Sequence, residues 1–209
     1  MTKELDQVNI YRRLNGNRLV IFERQGTLLR QKHGSRTLSL DDIDETLLHV
    51  LHRLRCSHFN FGFISDHGGV EDGQAGQQSA STLIHVLDGI LGAYGASPHF
   101  WLAWPPTAAP ESSTHFANQK FLDTAGMIAR ILEHYDLEIS KCVFVGTTLA
   151  GLAAAAGLGV DALQYSAFAE SNVPKSETAE LITLQIMGLA ARSRSARQLG
   201  RRRSLVTGH

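Results

Sequence analysis

Arg18-Leu19-Val20-Ile21-Phe22-Glu23-Arg24-Gln25-Gly26-Thr27-Leu28 begins as an apolar, partly β-branched run and ends in a short polar turn. The run follows the turn-forming Asn15-Gly16-Asn17, so it predicts a buried strand whose carboxyl end carries Glu23. Outward from it, strand-like and helix-like segments alternate. Residues 41–55 repeat Ile43, Leu47, Leu48, Leu51 and Leu54 at helical spacing, with acids in the first turn and Arg53 and Arg55 in the last, as the helix dipole favours. Residues 59–64 predict a second strand, 81–94 a helix and 99–104 a third strand stopped by Pro105-Pro106. A helix over 118–135, a strand over 142–145, a short helix over 149–156 ended by Gly157, a strand over 160–163 and a helix over 176–191 complete the pattern.

Strands separated by helices imply an α/β fold, a doubly wound parallel sheet of five strands. In such sheets ligands bind beyond the carboxyl ends of the strands, so the positions after Phe22, Ile64, Trp104 and Val145 are the ones to inspect. Residues 1–191 read as one domain and 192–209 as a basic, disordered tail. From Leu181 onward there is no acid, but Arg192, Arg194, Arg197, Arg201, Arg202 and Arg203 are present.

Lysine plus arginine equals aspartate plus glutamate, so net charge names no partner. Hydrophobic residues at 43% are enough for a sizeable core and too many for a disordered chain. Two cysteines, Cys56 and Cys142, exclude a disulfide scaffold or a cysteine zinc site and suit a reducing compartment. The first residues are polar and charged, unlike a signal peptide, and no apolar run has the length of a membrane span. The expectation is a soluble, cytoplasmic protein.

Two further strand ends extend the pattern of the first. Phe63-Ile64-Ser65-Asp66-His67-Gly68-Gly69-Val70 is one; Val143-Phe144-Val145-Gly146-Thr147-Thr148-Leu149-Ala150-Gly151, followed by Ala155-Ala156-Gly157, is the other. Together with residues 20–28 they resemble the first, second and fourth motifs of haloacid-dehalogenase (HAD) superfamily phosphatases. The nearest branch is the histidinol-phosphate and heptose-bisphosphate phosphatases. There the first strand ends in Asp-Arg-Asp-Gly-Thr and the fourth motif reads Val-Gly-Asp-x-x-x-Asp. The resemblance spans residues 18–164 and implies a minimal or absent cap domain.

The departures bear on function. In the family the first aspartate attacks phosphorus to form an aspartyl-phosphate; its position here is Glu23, one methylene longer. In-line attack tolerates little misplacement. The second aspartate is the general acid, and its position is Gln25, an amide with no usable proton. The fourth-motif acids help hold magnesium, and their positions are Thr147 and Gly151. A hard cation wants carboxylate oxygens, so the resemblance implies neither a metal site nor a cofactor for this chain.

Of the family's phosphate cradle, Thr27 and Ser65 keep hydroxyls at the corresponding strand ends. Each also suits a plain turn cap. The third-motif lysine precedes a Gly-Met pair; gapless alignment on Gly126-Met127 puts Leu122 there, with Lys120 two residues earlier. The branch's zinc loop is missing, since residues 104–116 carry no cysteine and one histidine, His115. Asp66 and His67 offer a substitute acid–base pair.

These readings favour a catalytically inactive phosphatase-like protein that binds a phosphorylated metabolite or serves as a regulatory or partner subunit. One alternative is a phosphohydrolase for a sugar (heptose) bisphosphate or related phosphomonoester with a rebuilt site. Another is an interaction module working through the arginine-rich tail. That tail lacks the interleaved aromatics of a single-strand nucleic-acid binder and reads as solubilising rather than as a ligand for nucleic acid or an anionic membrane.

Overall fold

The structure is a computed structural model and describes residues 9–29, 42–65, 74–103, 113–165 and 173–206, with side chains for all of these except 74–81, 113–120 and 193–206. The elements in chain order are β1 (Ile10–Tyr11), β2 (Leu19–Glu23), α1 (Glu45–Cys56), β3 (Asn60–Ser65), α2 (Gln74–Ala93), β4 (Phe100–Ala103), α3 (Ser113–His134), β5 (Cys142–Gly146), α4 (Leu149–Gly157), β6 (Asp161–Gln164) and α5 (Lys175–Val206).

The strands form one sheet in the order β1-β4-β3-β2-β5-β6. Five are parallel, as the sequence predicts; the sixth, β1, is an antiparallel edge pair with Ile10 opposite Trp101 and Tyr11 opposite Phe100. Two residues are too short to give a periodic signal, which is why the sequence predicts five strands and the structure has six. From β2 the chain winds outward through β3 to β4, then α3 carries it back across the sheet to β5 on the other side of β2. The reversal puts a crevice beyond the carboxyl ends of β2 and β5.

Successive strand residues point to opposite faces, and the core divides accordingly. Val20, Phe22, Phe61, Phe63, Trp101, Val143 and Val145 meet α1, α2 and α5 on one face. Leu19, Ile21, Ile64, Phe100, Leu102 and Phe144 meet α3 and α4 on the other. Strands covered on both sides are apolar throughout, and β2, β3, β4 and β5 are buried at every position.

Polar residues fix the edges. Arg12 donates to both carboxylate oxygens of Asp88 (2.9 and 2.6 Å) and to the Pro98 carbonyl, while the Trp101 indole donates to Asp88 Oδ1 at 2.9 Å. Asp44 caps α1 by accepting from the Leu47 N–H, and its other oxygen accepts from the Tyr165 hydroxyl at 3.0 Å. The helix predicted from residue 41 therefore starts at Glu45, because Asp44 wins the capping position over Asp41 and Asp42. At the other end, α5 passes the predicted stop at 191 and reaches Val206, so the backbone of the arginine-rich segment is helical up to that point, where the sequence predicts a disordered tail. Arginine, alanine, leucine and glutamine are good helix formers, and no proline interrupts them. Among the described residues no helix is long and apolar enough to cross a membrane.

Candidate functional site

Glu23 is the last residue of β2, and strand alternation turns it to the α3/α4 face, the side of Leu19 and Ile21. Only 7% of its surface is exposed. A carboxylate that buried needs hydrogen bonds, and it finds them on the loop between β5 and α4. Oε2 accepts from the Thr147 N–H at 2.7 Å and the Thr148 N–H at 3.1 Å; Oε1 accepts from the Thr148 hydroxyl at 2.6 Å. The Thr147 hydroxyl stands 3.4 Å from Oε2 and 3.5 Å from the Gln25 carbonyl.

Thr148 also caps α4, its hydroxyl oxygen accepting from the Gly151 N–H at 3.1 Å. The Thr147 and Thr148 N–H groups and the positive end of the α4 dipole converge there, the usual place for an anion. Here the anion is a side chain of the protein itself.

The glycines around the carboxylate are there for space. A Cβ on Gly151 would lie 2.6 Å from Glu23 Oε1, and one on Gly146 would lie 2.8 Å from Oε2. Gly26, at φ +79°, takes the left-handed turn after β2, and a Cβ there would meet the Thr147 hydroxyl at 2.6 Å. That turn is closed by Leu28 and Leu29 N–H groups donating to the Arg24 carbonyl, and by Gly26 donating to Leu29.

The structure therefore brings together Glu23, Thr147 and Gly151, with the Gln25 backbone beside them. Thr27 is fully buried, and its hydroxyl donates to the Glu23 carbonyl within the same turn. Ser65 ends β3, is 5% exposed, and its hydroxyl has no hydrogen-bond partner among the described residues. Strand alternation puts it on the face of Phe61 and Phe63, opposite Glu23. Lys120 lies on α3, but its side chain falls outside the described residues; Leu122 is exposed. Asp66, His67, Gly68, Gly69 and Trp104 also lie outside them.

No family model matches the chain, and no curated protein matches it in sequence. Solved structures do match in shape. The D,D-heptose 1,7-bisphosphate phosphatase of B. bronchiseptica, determined with magnesium and phosphate, superposes with a TM-score of 0.62 at 18% identity, covering 80% of this chain and 99% of that one. A Mesorhizobium loti protein described as a HAD-like phosphatase gives 0.61 at 16% identity, covering 90% and 91%. The chain has the fold of the HAD-like phosphatases.

Within that fold, the groups around Glu23 among the described residues do not suit a magnesium ion. Magnesium favours carboxylates together with retained water. The β5–α4 loop offers Thr147 and Thr148, the first turn of α4 offers Gly151, and both Glu23 oxygens already accept short hydrogen bonds. Among the described residues no three His, Cys, Asp or Glu side chains are grouped to hold a metal. Reading the sequence found Glu23, Thr147 and Gly151 but missed Thr148. Its signal was a threonine directly before a helix, the ordinary mark of an N-cap.

Proposed function

We propose that this chain is a HAD-fold protein that has exchanged phosphoester hydrolysis for a regulatory or partner role. The observation carrying the reading is the Glu23 carboxylate held by Thr147 and Thr148 at the amino end of α4. A nucleophile must have an oxygen free to approach phosphorus in line. Both Glu23 oxygens instead close the β2–α4 contact, and Gln25 has no proton to give a leaving alcohol.

The same geometry argues against a phosphate ligand at this helix end. Glu23 already fills the place that the dipole offers to an anion, and a second negative charge a few ångströms away is opposed.

The test uses the full chain. The protein is assayed with p-nitrophenyl phosphate, acetyl phosphate and a sugar bisphosphate, with and without magnesium, and its melting temperature is followed with inorganic phosphate. No magnesium-dependent turnover and no phosphate stabilisation are expected. A Glu23→Gly protein should gain stabilisation by phosphate or acetate, because the Thr147 and Thr148 N–H groups then lack their anion. Turnover by the wild type would return the protein to the phosphohydrolases. Stabilisation of the wild type by phosphate would restore the cradle of Thr27, Ser65 and Lys120 as a ligand site.

A further inference from the structure

His99 stands just before β4, at the amino ends of the parallel strands and so at the other end of the sheet from Glu23. It is 4% exposed, and its ring lies edge-on to Phe61 with centroids 6.1 Å apart. The backbone here joins three elements. Its N–H donates to the Phe61 carbonyl of β3 at 2.7 Å, and its carbonyl accepts from the Arg12 N–H at 2.7 Å and from the hydroxyl of Tyr135, just past α3, at 3.1 Å. Arg12 also donates to the Pro98 carbonyl, so the end of β1 is fastened at residues 98 and 99.

The ring sits where a positive charge is opposed. Nδ1 accepts from the Phe61 N–H at 3.4 Å, and Nε2 lies 3.4 Å from Nη1 of Arg55 in the last turn of α1. A guanidinium only donates, and a neutral imidazole has one acceptor nitrogen. The ring can therefore satisfy one of these donors at a time, and an imidazolium can satisfy neither. Among the described residues no carboxylate compensates. The charged groups that face the ring are Arg55 from α1 and Arg12 beyond β1, both cationic. Asp88 of α2 is already held by Arg12 and Trp101, and Tyr135 meets His99 through a neutral phenol. Burial and then Arg55 hold the pKa of His99 below 6.5, with the Phe61 backbone pulling less strongly the other way.

We infer that His99 is an acid-sensitive latch, whose protonation drives it from Arg55 and the Phe61 N–H and opens the junction of β1, β3, β4 and the end of α1. The ring is harder to protonate in the closed junction than in the open one. Its contribution is therefore whole above pH 6.5 and is lost as pH falls through the folded value. Between those two points each pH unit raises the open fraction by up to about tenfold. The latch and the Glu23 contact lie at opposite ends of the sheet, so this inference stands or falls apart from the reading of the crevice.

The test follows the His99 imidazole of the full chain by NMR from about pH 8 to about pH 5, the range in which histidines titrate. Hydrogen exchange at the Arg12, Phe61 and His99 amides is measured over the same range and corrected for the intrinsic pH dependence of exchange. His99 should remain mostly neutral at pH 6.5, where an unperturbed histidine is half charged. Protection of the three amides should fall by up to about tenfold per pH unit below that. His99→Gln has no proton to gain and should remove this fall. Arg55→Gln should raise the pH at which His99 titrates. A His99 half charged at pH 6.5 or above overturns the inference, and so does a midpoint that Arg55→Gln leaves in place. Protection that does not fall with acid, or falls equally in the His99→Gln protein, overturns it too. Should His99→Gln fail to fold, the titrations of the wild type and of Arg55→Gln decide by themselves.

Discussion

Replacing Gly151 by alanine is the most direct probe of the Glu23 contact. In an ordinary helix interior the change is stabilising by about 1 kcal/mol, because glycine loses more backbone entropy on folding. Gly151 lies in the first turn of α4, where its Cβ would stand 2.6 Å from Glu23 Oε1 and 2.9 Å from the Thr148 hydroxyl oxygen. The carboxylate must then withdraw by several tenths of an ångström, at the expense of its 2.6 Å bond from Thr148. A hydrogen bond to a charged group is worth about 1.5–3 kcal/mol, and overpacking costs about 1–3 kcal/mol. Set against the helix gain, Gly151→Ala should destabilise the protein by about 2 kcal/mol. Glu23→Ala should cost about 3 kcal/mol by stranding the Thr147 and Thr148 donors. In that background Gly151→Ala meets no carboxylate and should recover about 1 kcal/mol.

The two changes are therefore non-additive by about 3 kcal/mol. Urea unfolding of the wild type, both single variants and the double variant, followed by circular dichroism with matched m-values, measures that coupling. A Gly151→Ala protein as stable as the wild type would refute the reasoning. So would a cycle additive within about 0.5 kcal/mol.

Two further predictions concern pH. Burial pushes the Cys142 thiol up from 9.0 to about 12 and the Tyr135 phenol up from 10.0 to about 12. Both folded values lie above the unfolded ones, so their contribution is complete below pH 9 and is lost as pH rises toward 12, at about 1.4 kcal/mol per pH unit for each group. Cys142→Ala should flatten the fall between pH 9 and 10 in a series of urea titrations, and a profile parallel to the wild type there counts against it. Burial raises the Asp88 carboxyl, but hydrogen bonds from Arg12 and Trp101 outweigh it and hold the value below 3.8. That contribution is present above pH 4 and lost as pH falls through the folded value, so the destabilisation by Arg12→Ala should shrink on going from pH 7 to pH 2; an equal loss at both would mean that Arg12 acts by packing alone.

The parallel strands were legible because burial on both faces leaves almost no polar residue within them, as Leu19-Val20-Ile21-Phe22 and Cys142-Val143-Phe144-Val145 show. Glu23, Thr147 and Gly151 were legible because each ends or follows such a strand. Less could be read where a structure depends on a distant partner. Ile10-Tyr11 forms a strand only because β4 offers an edge. Asp88 reads as a solvated helix acid until Arg12 and Trp101 arrive from 76 and 13 residues away. The bond between Thr148 and Glu23 spans 125 positions, and no local pattern records it.

The four departures from the phosphatase motifs read one by one as successive losses. In the structure three of those positions, 23, 147 and 151, meet in one contact. Glu23, one methylene longer than the aspartate of the motif it resembles, sets its carboxylate on the β5–α4 loop, where its oxygens reach the Thr147 and Thr148 donors at 2.6–3.1 Å. In that position it crowds residue 151, where a Cβ would stand 2.6 Å from Oε1. An acid at 147 would set a second carboxylate against the first, whereas the threonine leaves a neutral hydroxyl against Gly26 while its backbone N–H donates to Glu23. The fit of Glu23, Thr147 and Gly151 is that of a contact between β2 and the amino end of α4, in which a carboxylate of the protein itself takes the place that the helix dipole offers to an anion.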